Sequence, residues 1–336
     1  MVEVINKDLD KLYGEIIKKI DDCDDFLLIT HIYPDGDGLG VLTACHKLLT
    51  SMGKNSNMLC KSSLPYQYKF LPGYNDIKRD IKISGSINNK TVCIVFDCAD
   101  EDRTGLDLGY IRKNGGCIIN MDHHKSNTLF GDINIVDGNK SATSEMLFEF
   151  LYSNYKDRMD YDIAIGIYVG ILTDTGKFQY SSTTANVHKI ISKLLMFGIK
   201  PIEIYGHIYE SDPMGRFKLI QRVFGRIKYI DSLGLIYSYV LNRDFSRLKI
   251  PYYTLDGIVE LLRSAEGIKI AALIKQVNNK SYKVSLRTSD NDMDLCKIAS
   301  SFGGGGHRTA SAYRDEGSLN NIIKRLKKAI KQSAEK

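Results

Sequence analysis

Three histidines in this chain stand beside aspartates in patterns suited to holding metal. The stretch Thr30-His-Ile-Tyr-Pro-Asp-Gly-Asp-Gly-Leu-Gly40 packs His31, Asp35 and Asp37 into one turn. An apolar run, Phe26-Leu-Leu-Ile, precedes it, and a helical pattern from Val41 to Leu49 follows. Glycines at 36, 38 and 40 would let the backbone bend sharply and take positive φ there. Further on, Asp97 ends the run Thr91–Phe96, Asp122-His123-His124 ends the run Cys117–Met121, and Asp174 follows the apolar stretch Ile163–Leu172. Adjacent side chains at a strand end diverge, so one of His123 and His124 is expected to face metal and the other substrate.

His31, Asp35, Asp37, Asp97, His123 and Asp174 together make six ligands, four of them anionic. That is too much negative charge for one ion and suits two that share a bridging carboxylate. Mixed carboxylate and imidazole ligation favours Mn²⁺ or a similar divalent ion over a thiol-seeking one. Paired ions about 3.5–4 Å apart would activate hydroxide for in-line attack on phosphorus. Two rival readings of the first turn fail. A dinucleotide fingerprint needs a third glycine where Val41 stands, and a calcium loop from Asp35 would need ligands at Leu39 and His46.

The elements that must position these groups follow from periodicity. Residues 7–21 read as a helix, 26–29 as a strand, and 91–96 and 117–121 as two further buried strands. Three strands that each run into acids or histidines indicate a parallel sheet with the site at its carboxyl edge. Helices are expected at 142–153 and 185–197, with helical material continuing to about 223. The second half reads as strand 234–240, helix 255–264, strands 268–275 and 282–287, and helix 293–302.

The length of 336 residues suits two domains, and no apolar run approaches a membrane span. Seven cysteines without CxxC spacing read as reduced thiols, in keeping with a cytoplasmic protein. Residues 1–190 carry 21 Lys and Arg against 26 Asp and Glu, and residues 191–336 carry 25 against 14. An acidic half joined to a basic half suggests an anionic substrate held by one and processed by the other. In the basic half, Gly303–Gly306 followed by His307 and Arg308 offers bare backbone N–H groups for phosphate, and Arg287 and Arg263 are forks that match it. A lone glycine run is more often a flexible loop, and it is the two arginines that favour a phosphate site.

The motifs HIYPDGDGLG (31–40), VFDCAD (95–100), NMDHH (120–124), GILTDTGKF (170–178), VSLRTS (284–289) and GGGGHRTAS (303–311) resemble those of the DHH phosphoesterase family. The closer resemblance is to its stand-alone members with a DHH-associated domain, the nanoRNase (oligoribonuclease) and phosphoadenosine-phosphate phosphatase group. It implies an α/β chain of two lobes: a parallel-sheet catalytic domain over 1–190, a helical connector over 191–223, and a smaller mixed-sheet associated domain over 224–336. The active site is expected in the cleft between the lobes. The resemblance gives one ion to His31, Asp35 and Asp97 and the other to Asp37, Asp97, His123 and Asp174, with Asp97 bridging. It makes Asp122 the residue that orients a ligand histidine and His124 the group facing the scissile phosphate or leaving oxygen. Arg287, Gly305, Gly306 and His307 would grip the far end of the nucleotide, with Arg263 a weaker candidate.

The implied activity is hydrolysis of short RNA and of linear dinucleotides such as pApA and pGpG to mononucleotides, extending to 3′-phosphoadenosine 5′-phosphate. Two Mn²⁺ ions are expected, with Mg²⁺ or Co²⁺ as substitutes. A cyclic-di-AMP phosphodiesterase and a non-catalytic nucleotide sensor are the alternatives. No membrane partner and no stable complex with long nucleic acid are expected, and a homodimer is left open. Two departures from the family pattern, Val41 after the last glycine of the first motif and Ala310-Ser311-Ala312 near the end of the last, leave every metal ligand unchanged.

Overall fold

The computed structural model describes residues 7–80, 87–250, 252–255, 257–290, 293–306 and 308–334. Two compact units, Met1–Ser211 and Asp212–Lys336, divide the chain inside the stretch expected to be a connector. The first contains α1 (Lys7–Asp22), β1 (Asp25–Thr30), α2 (Gly36–Ser51), β2 (Asn55–Leu59), β3 (Thr91–Phe96), α3 (Gly109–Lys113), β4 (Cys117–Asp122) and β5 (Ile133–Val136). Helices α4 (Thr143–Asn154), α5 (Tyr161–Asp174), α6 (Ala185–Leu195) and α7 (Pro201–Tyr209) complete it. Its strands form one parallel sheet in the order β2-β1-β3-β4-β5.

Strand alternation divides the core of this unit. Phe26, Leu28, Val92, Ile94 and Phe96 pack on one face with α2, α4 and α5. Leu27, Ile29, Cys93 and Val95 pack on the other with Leu108 and Ile111. Both faces are covered, which is why these strands read as continuous apolar runs. The expected three strands are five, because β2 begins Asn-Ser-Asn and β5 is only four residues long, so neither stands out by composition. The chain runs outward from β1 to β2 and returns to β3. The sheet order therefore reverses between β1 and β3, the position where open α/β sheets leave a crevice beyond the strand ends.

The stretch Ile163–Leu172 lies within α5, whose residues from Ile163 to Leu172 are all buried. A helix apolar all round is a core helix, and periodicity alone does not distinguish it from a strand. It packs extensively on α2. A Cβ at Gly40 would meet the carbonyl oxygen of Gly166, and one at Gly166 would lie 2.6 Å from the carbonyl oxygen of Gly40. These glycines let two helix backbones touch.

The second unit contains α8 (Met214–Phe224), β6 (Lys228–Ile230), β7 (Leu235–Val240), α9 (Asn242–Leu248), α10 (Ile258–Arg263), β8 (Ile270–Gln276), β9 (Ser281–Thr288), α11 (Leu295–Ser300), β10 (Gly305–Gly306), β11 (Ala310–Glu316) and α12 (Leu319–Ala334). The sheet order is β10-β11-β9-β8-β7-β6, antiparallel except between β7 and β8. Helix α12 buries Ile322, Leu326 and Ile330 on one face of the sheet, and α10 buries Ile258, Val259 and Leu262 on the other. The helix expected over 255–264 is shorter. A single 3₁₀ turn ends at Leu255, and Gly257 at φ 78° separates it from α10. No described helix is long and apolar enough to cross a membrane.

Candidate metal centre

Each candidate ligand is delivered by the end of an element in the first unit. His31 follows β1 and is buried, Asp97 follows β3, His123 and His124 follow β4, and Asp174 is the last residue of α5. Asp35 caps α2, its Oδ1 accepting from the N–H of Asp37 at 3.0 Å and of Gly38 at 3.2 Å. The glycines of this stretch do not make the sharp positive-φ turn expected of them. Gly36, Gly38 and Gly40 lie inside the first turns of α2, and none has positive φ. They serve close approach instead: a Cβ on Gly36 would strike the Thr173 side chain and one on Gly38 would strike Thr30 Oγ1. Positive φ in that stretch falls on Tyr33 instead, at 57°, and a second strained residue of the site is Asp97, with φ 57° and 2% exposure. A buried non-glycine residue held in the left-handed region is a conformation that its surroundings must enforce.

Three groupings of ligand atoms, each within 4.8 Å, interlock. They are His31 with Asp35 and Asp97, Asp37 with His123 and Asp174, and Asp97 with His123 and His124. His31 Nε2 stands 3.4 Å from Asp97 Oδ2 and 3.9 Å from Asp35 Oδ1. His123 Nε2 stands 3.1 Å from Asp174 Oδ2 and 3.6 Å from Asp97 Oδ1. It is buried and aligned for a hydrogen bond with neither. The other ring nitrogen of each is engaged: His31 Nδ1 lies 3.0 Å from the Ile32 carbonyl and His123 Nδ1 lies 3.4 Å from the Lys140 carbonyl. For His123, with Nδ1–H donating to that carbonyl, the Nε2 lone pair faces the carboxylates, the tautomer of a ligating histidine, whereas His31 Nδ1 lies within reach of both the Ile32 carbonyl and the Arg103 guanidinium.

Such an arrangement calls for cations. Two like charges about 4 Å apart repel by about 4 kcal/mol at an effective dielectric near 20. Burial pushes the Asp37 carboxyl up, and the Asp97 charge adds to this, to about 7. Burial likewise holds Asp174 well above the usual carboxylate range, with Asp37 and Asp35 adding to it. For the two imidazoles burial acts downward, but the carboxylates outweigh it. Asp35 and Asp97 hold His31 up at about 11, and Asp174 and Asp37 hold His123 at about 10. Without metal the cluster gathers protons. An orphaned buried Nε2 among oxygen donors fits a divalent ion in their place.

Asp122 is fully buried and contacts His124: its Oδ1 accepts from His124 Nδ1 at 2.7 Å and its Oδ2 from Asn127 Nδ2 at 2.6 Å. Burial raises this carboxyl, but those two bonds prevail and hold it below its usual range. Asp37 has a second duty. Helix α4 is preceded by Ala142, whose side chain cannot cap it, and Asp37 supplies the cap, accepting from Thr143 N at 2.6 Å and Ser144 N at 2.9 Å. A helix N-terminus is a natural anion site, and each carboxylate oxygen keeps a further lone pair for metal.

In the second unit, Arg287 lies on β9 and its Nε donates to Glu260 Oε1 on α10 at 2.8 Å. Arg263 ends α10, half-buried. Gly305 and Gly306, expected as bare loop, form β10 against Ala312 and Ser311 of β11. His307 lies outside the described residues. Sequence reasoning missed the amides of Thr143 and Ser144, since backbone donors carry no residue signature. It also missed Arg103, whose guanidinium lies 3.2 Å from His31 Nδ1 and whose carbonyl accepts from Ile32 N at 2.7 Å. The run of acids at 97–102 could have drawn attention to it.

The DHH family N-terminal domain matches residues 25–171 and the DHHA1 domain matches residues 234–332. The bifunctional oligoribonuclease and PAP phosphatase NrnA of Thermus thermophilus is 27% identical over 331 residues, covering 96% of this chain and 93% of that protein. The crystal structure of an exopolyphosphatase-related protein from Bacteroides fragilis superposes with a TM-score of 0.91 at 24% identity, covering 99% of this chain and 98% of that one. That of exonuclease RecJ bound to manganese does so at 0.51 and 11% identity, over 96% and 94%.

Proposed function

From the premise that this chain belongs to the DHH family, with its DHH and DHHA1 domains together spanning most of its length, we propose that it is a Mn²⁺-dependent phosphodiesterase of short RNA and linear dinucleotides. It is a phosphoester hydrolase; the metal and the substrates are the proposal. The single observation that carries it is the interlocking of three ligand groupings through Asp97 and His123. The relative from Thermus thermophilus, similar over nearly the whole chain, bears the name of an oligoribonuclease and PAP phosphatase, which supports the substrate class.

His31, Asp35 and Asp97 would hold one ion, and Asp37, Asp97, His123 and Asp174 the other. When bound, the ions supply Lewis acidity and a nucleophile at neutral pH. The rest falls to side chains. Asp122, kept ionised, fixes the His124 ring through Nδ1 and leaves Nε2 to hold a proton for the leaving oxygen. In the second unit, Glu260 takes the Nε–H of Arg287 and the Leu286 carbonyl takes one N–H of Nη1, and the N–H groups left over would bind the distal phosphate of a dinucleotide. With 23 Lys and Arg against 12 Asp and Glu over 212–336, that unit favours an anion.

The test is a turnover series on the metal-loaded chain with pApA, RNA of two to ten nucleotides, 3′-phosphoadenosine 5′-phosphate and cyclic-di-AMP. Mn²⁺-stimulated release of mononucleotide from pApA and dinucleotide RNA, abolished in Asp97→Ala, is expected. No release, or activity unaltered in Asp97→Ala, overturns the proposal. Faster turnover of cyclic-di-AMP than of pApA would reassign the substrate.

A further inference from the structure

We infer that Glu145 is a positioning residue for one ion of the pair and not the other, acting through the segment Lys140–Ser144. The inference rests on the metal-centre reading above.

That segment touches three of the six ligands. The Lys140 carbonyl faces His123 Nδ1 at 3.4 Å, fixing the ring so that Nε2 points at Asp97 and Asp174. The amides of Thr143 and Ser144 grip both oxygens of Asp37, and Thr143 Oγ1 donates to Asp97 Oδ1 at 3.4 Å. Glu145 in turn holds the segment. Its Oε2 accepts from Ser141 N at 2.8 Å and from Ser141 Oγ at 2.7 Å, and its Oε1 accepts from Asn186 Nδ2 of α6 at 3.0 Å. Lys140 Nζ lies 3.7 Å from Oε1 and is tied to Glu149.

Glu145 is 3% exposed and stands outside every ligand grouping. A carboxylate so buried is destabilising unless its bonds are met, and here they are met by the backbone and side chain that carry the site. The arrangement is one-sided even at the shared Asp97, because Thr143 contacts Oδ1, the oxygen that faces His123, while Oδ2 faces His31. Asp37 and His123, two of the three residues in one grouping, are held by the segment. His31 and Asp35 are held instead by Ile32, Arg103 and the amides of α2. Loosening the segment therefore weakens the ion of Asp37, His123 and Asp174 while leaving the ion of His31 and Asp35 in place.

The experiment is a Mn²⁺ titration of the metal-free, full-length chain, followed by the electron paramagnetic signal of the free ion. It compares the unaltered chain with Glu145→Gln and Ser141→Ala. The unaltered chain is expected to take up two ions. Glu145→Gln should hold one of them unchanged and the other about 10–100-fold more weakly, as for other groups that orient metal ligands. Its metal-free melting temperature should be unchanged. Ser141→Ala, which removes only the hydroxyl, should show a smaller shift of the same kind, and it carries the test if Glu145→Gln fails to fold. Two ions bound as in the unaltered chain overturns the inference, and so does equal weakening of both. An unaltered chain that takes up no Mn²⁺ overturns the metal-centre reading instead.

Discussion

Asp97 turns the chain at φ 57° while presenting its two oxygens toward different histidines. Asparagine tolerates that conformation nearly as well as aspartate, whereas a side chain unable to bond locally is strained there by about 1 kcal/mol or more. Asp97→Asn should therefore keep its melting temperature without metal yet lose turnover of pApA by about 10³-fold or more, and Asp97→Ala should lose both. Asp37 carries the pH dependence. Held up at about 7, it binds its proton more tightly folded than unfolded, so its contribution to stability is present at low pH and lost as the pH rises toward 7. His31 and His123, held up at about 11 and 10, contribute fully below the ordinary histidine range and lose it as the pH rises through those values. Mn²⁺ competes with these protons. The gain in melting temperature on adding it should be larger near pH 8 than near pH 5, and an equal or smaller gain would refute this. These candidate ligands, which the structure brings together, were legible in the sequence because each is an acid or histidine at or just beyond the end of an apolar run. The amides that grip Asp37 were not, since any residue at 143 or 144 supplies an N–H.

At the level of elements, α2, α4 and α5 meet around the ligands with glycine at the contacts. A Cβ at Gly170 would collide with Ser144 Oγ and lie 2.5 Å from Asp37 Oδ1. Gly170→Ala is expected to destabilise the chain by about 1–3 kcal/mol and to weaken Mn²⁺ binding, because α5 can yield only by displacing a ligand. Gly14→Ala, at an exposed position of α1 with nothing within 4 Å, should stabilise by about 1 kcal/mol. Thermal unfolding of both variants checks the pair, and a neutral Gly170→Ala would refute the tight contact. The sequence placed the strands beneath the site but misread these glycines. Gly36, Gly38 and Gly40 look like a turn when only local spacing is considered, and their real neighbours, such as Thr173 and Gly166, lie more than a hundred residues away. The apolar stretch of α5 hid its periodicity for the same reason: it is surrounded by partners on every side.

Across the whole molecule, charge and fold divide alike. Residues 1–211 carry 23 Lys and Arg against 28 Asp and Glu, the reverse of the excess in residues 212–336. If the basic unit draws in the substrate, raising salt from about 50 to about 300 mM should raise KM for pApA severalfold with kcat little changed. A KM insensitive to salt would assign that charge to solubility alone. This asymmetry was visible in composition. The division at Ser211 and Asp212 was not, because helices continue on both sides of it. The cap that Asp37 places on α4 bears also on the order of assembly. Its donors lie 106 and 107 residues downstream, and Ala142 offers no local substitute. As the chain leaves the ribosome, β1 and α2 are complete long before α4 exists, and the first turn of α4 lacks a side-chain cap until it docks on them. The pocket is therefore assembled across more than a hundred residues and completed only when α5 brings Asp174, and a nascent chain cut short before residue 143 would leave Asp37 with no helix to cap.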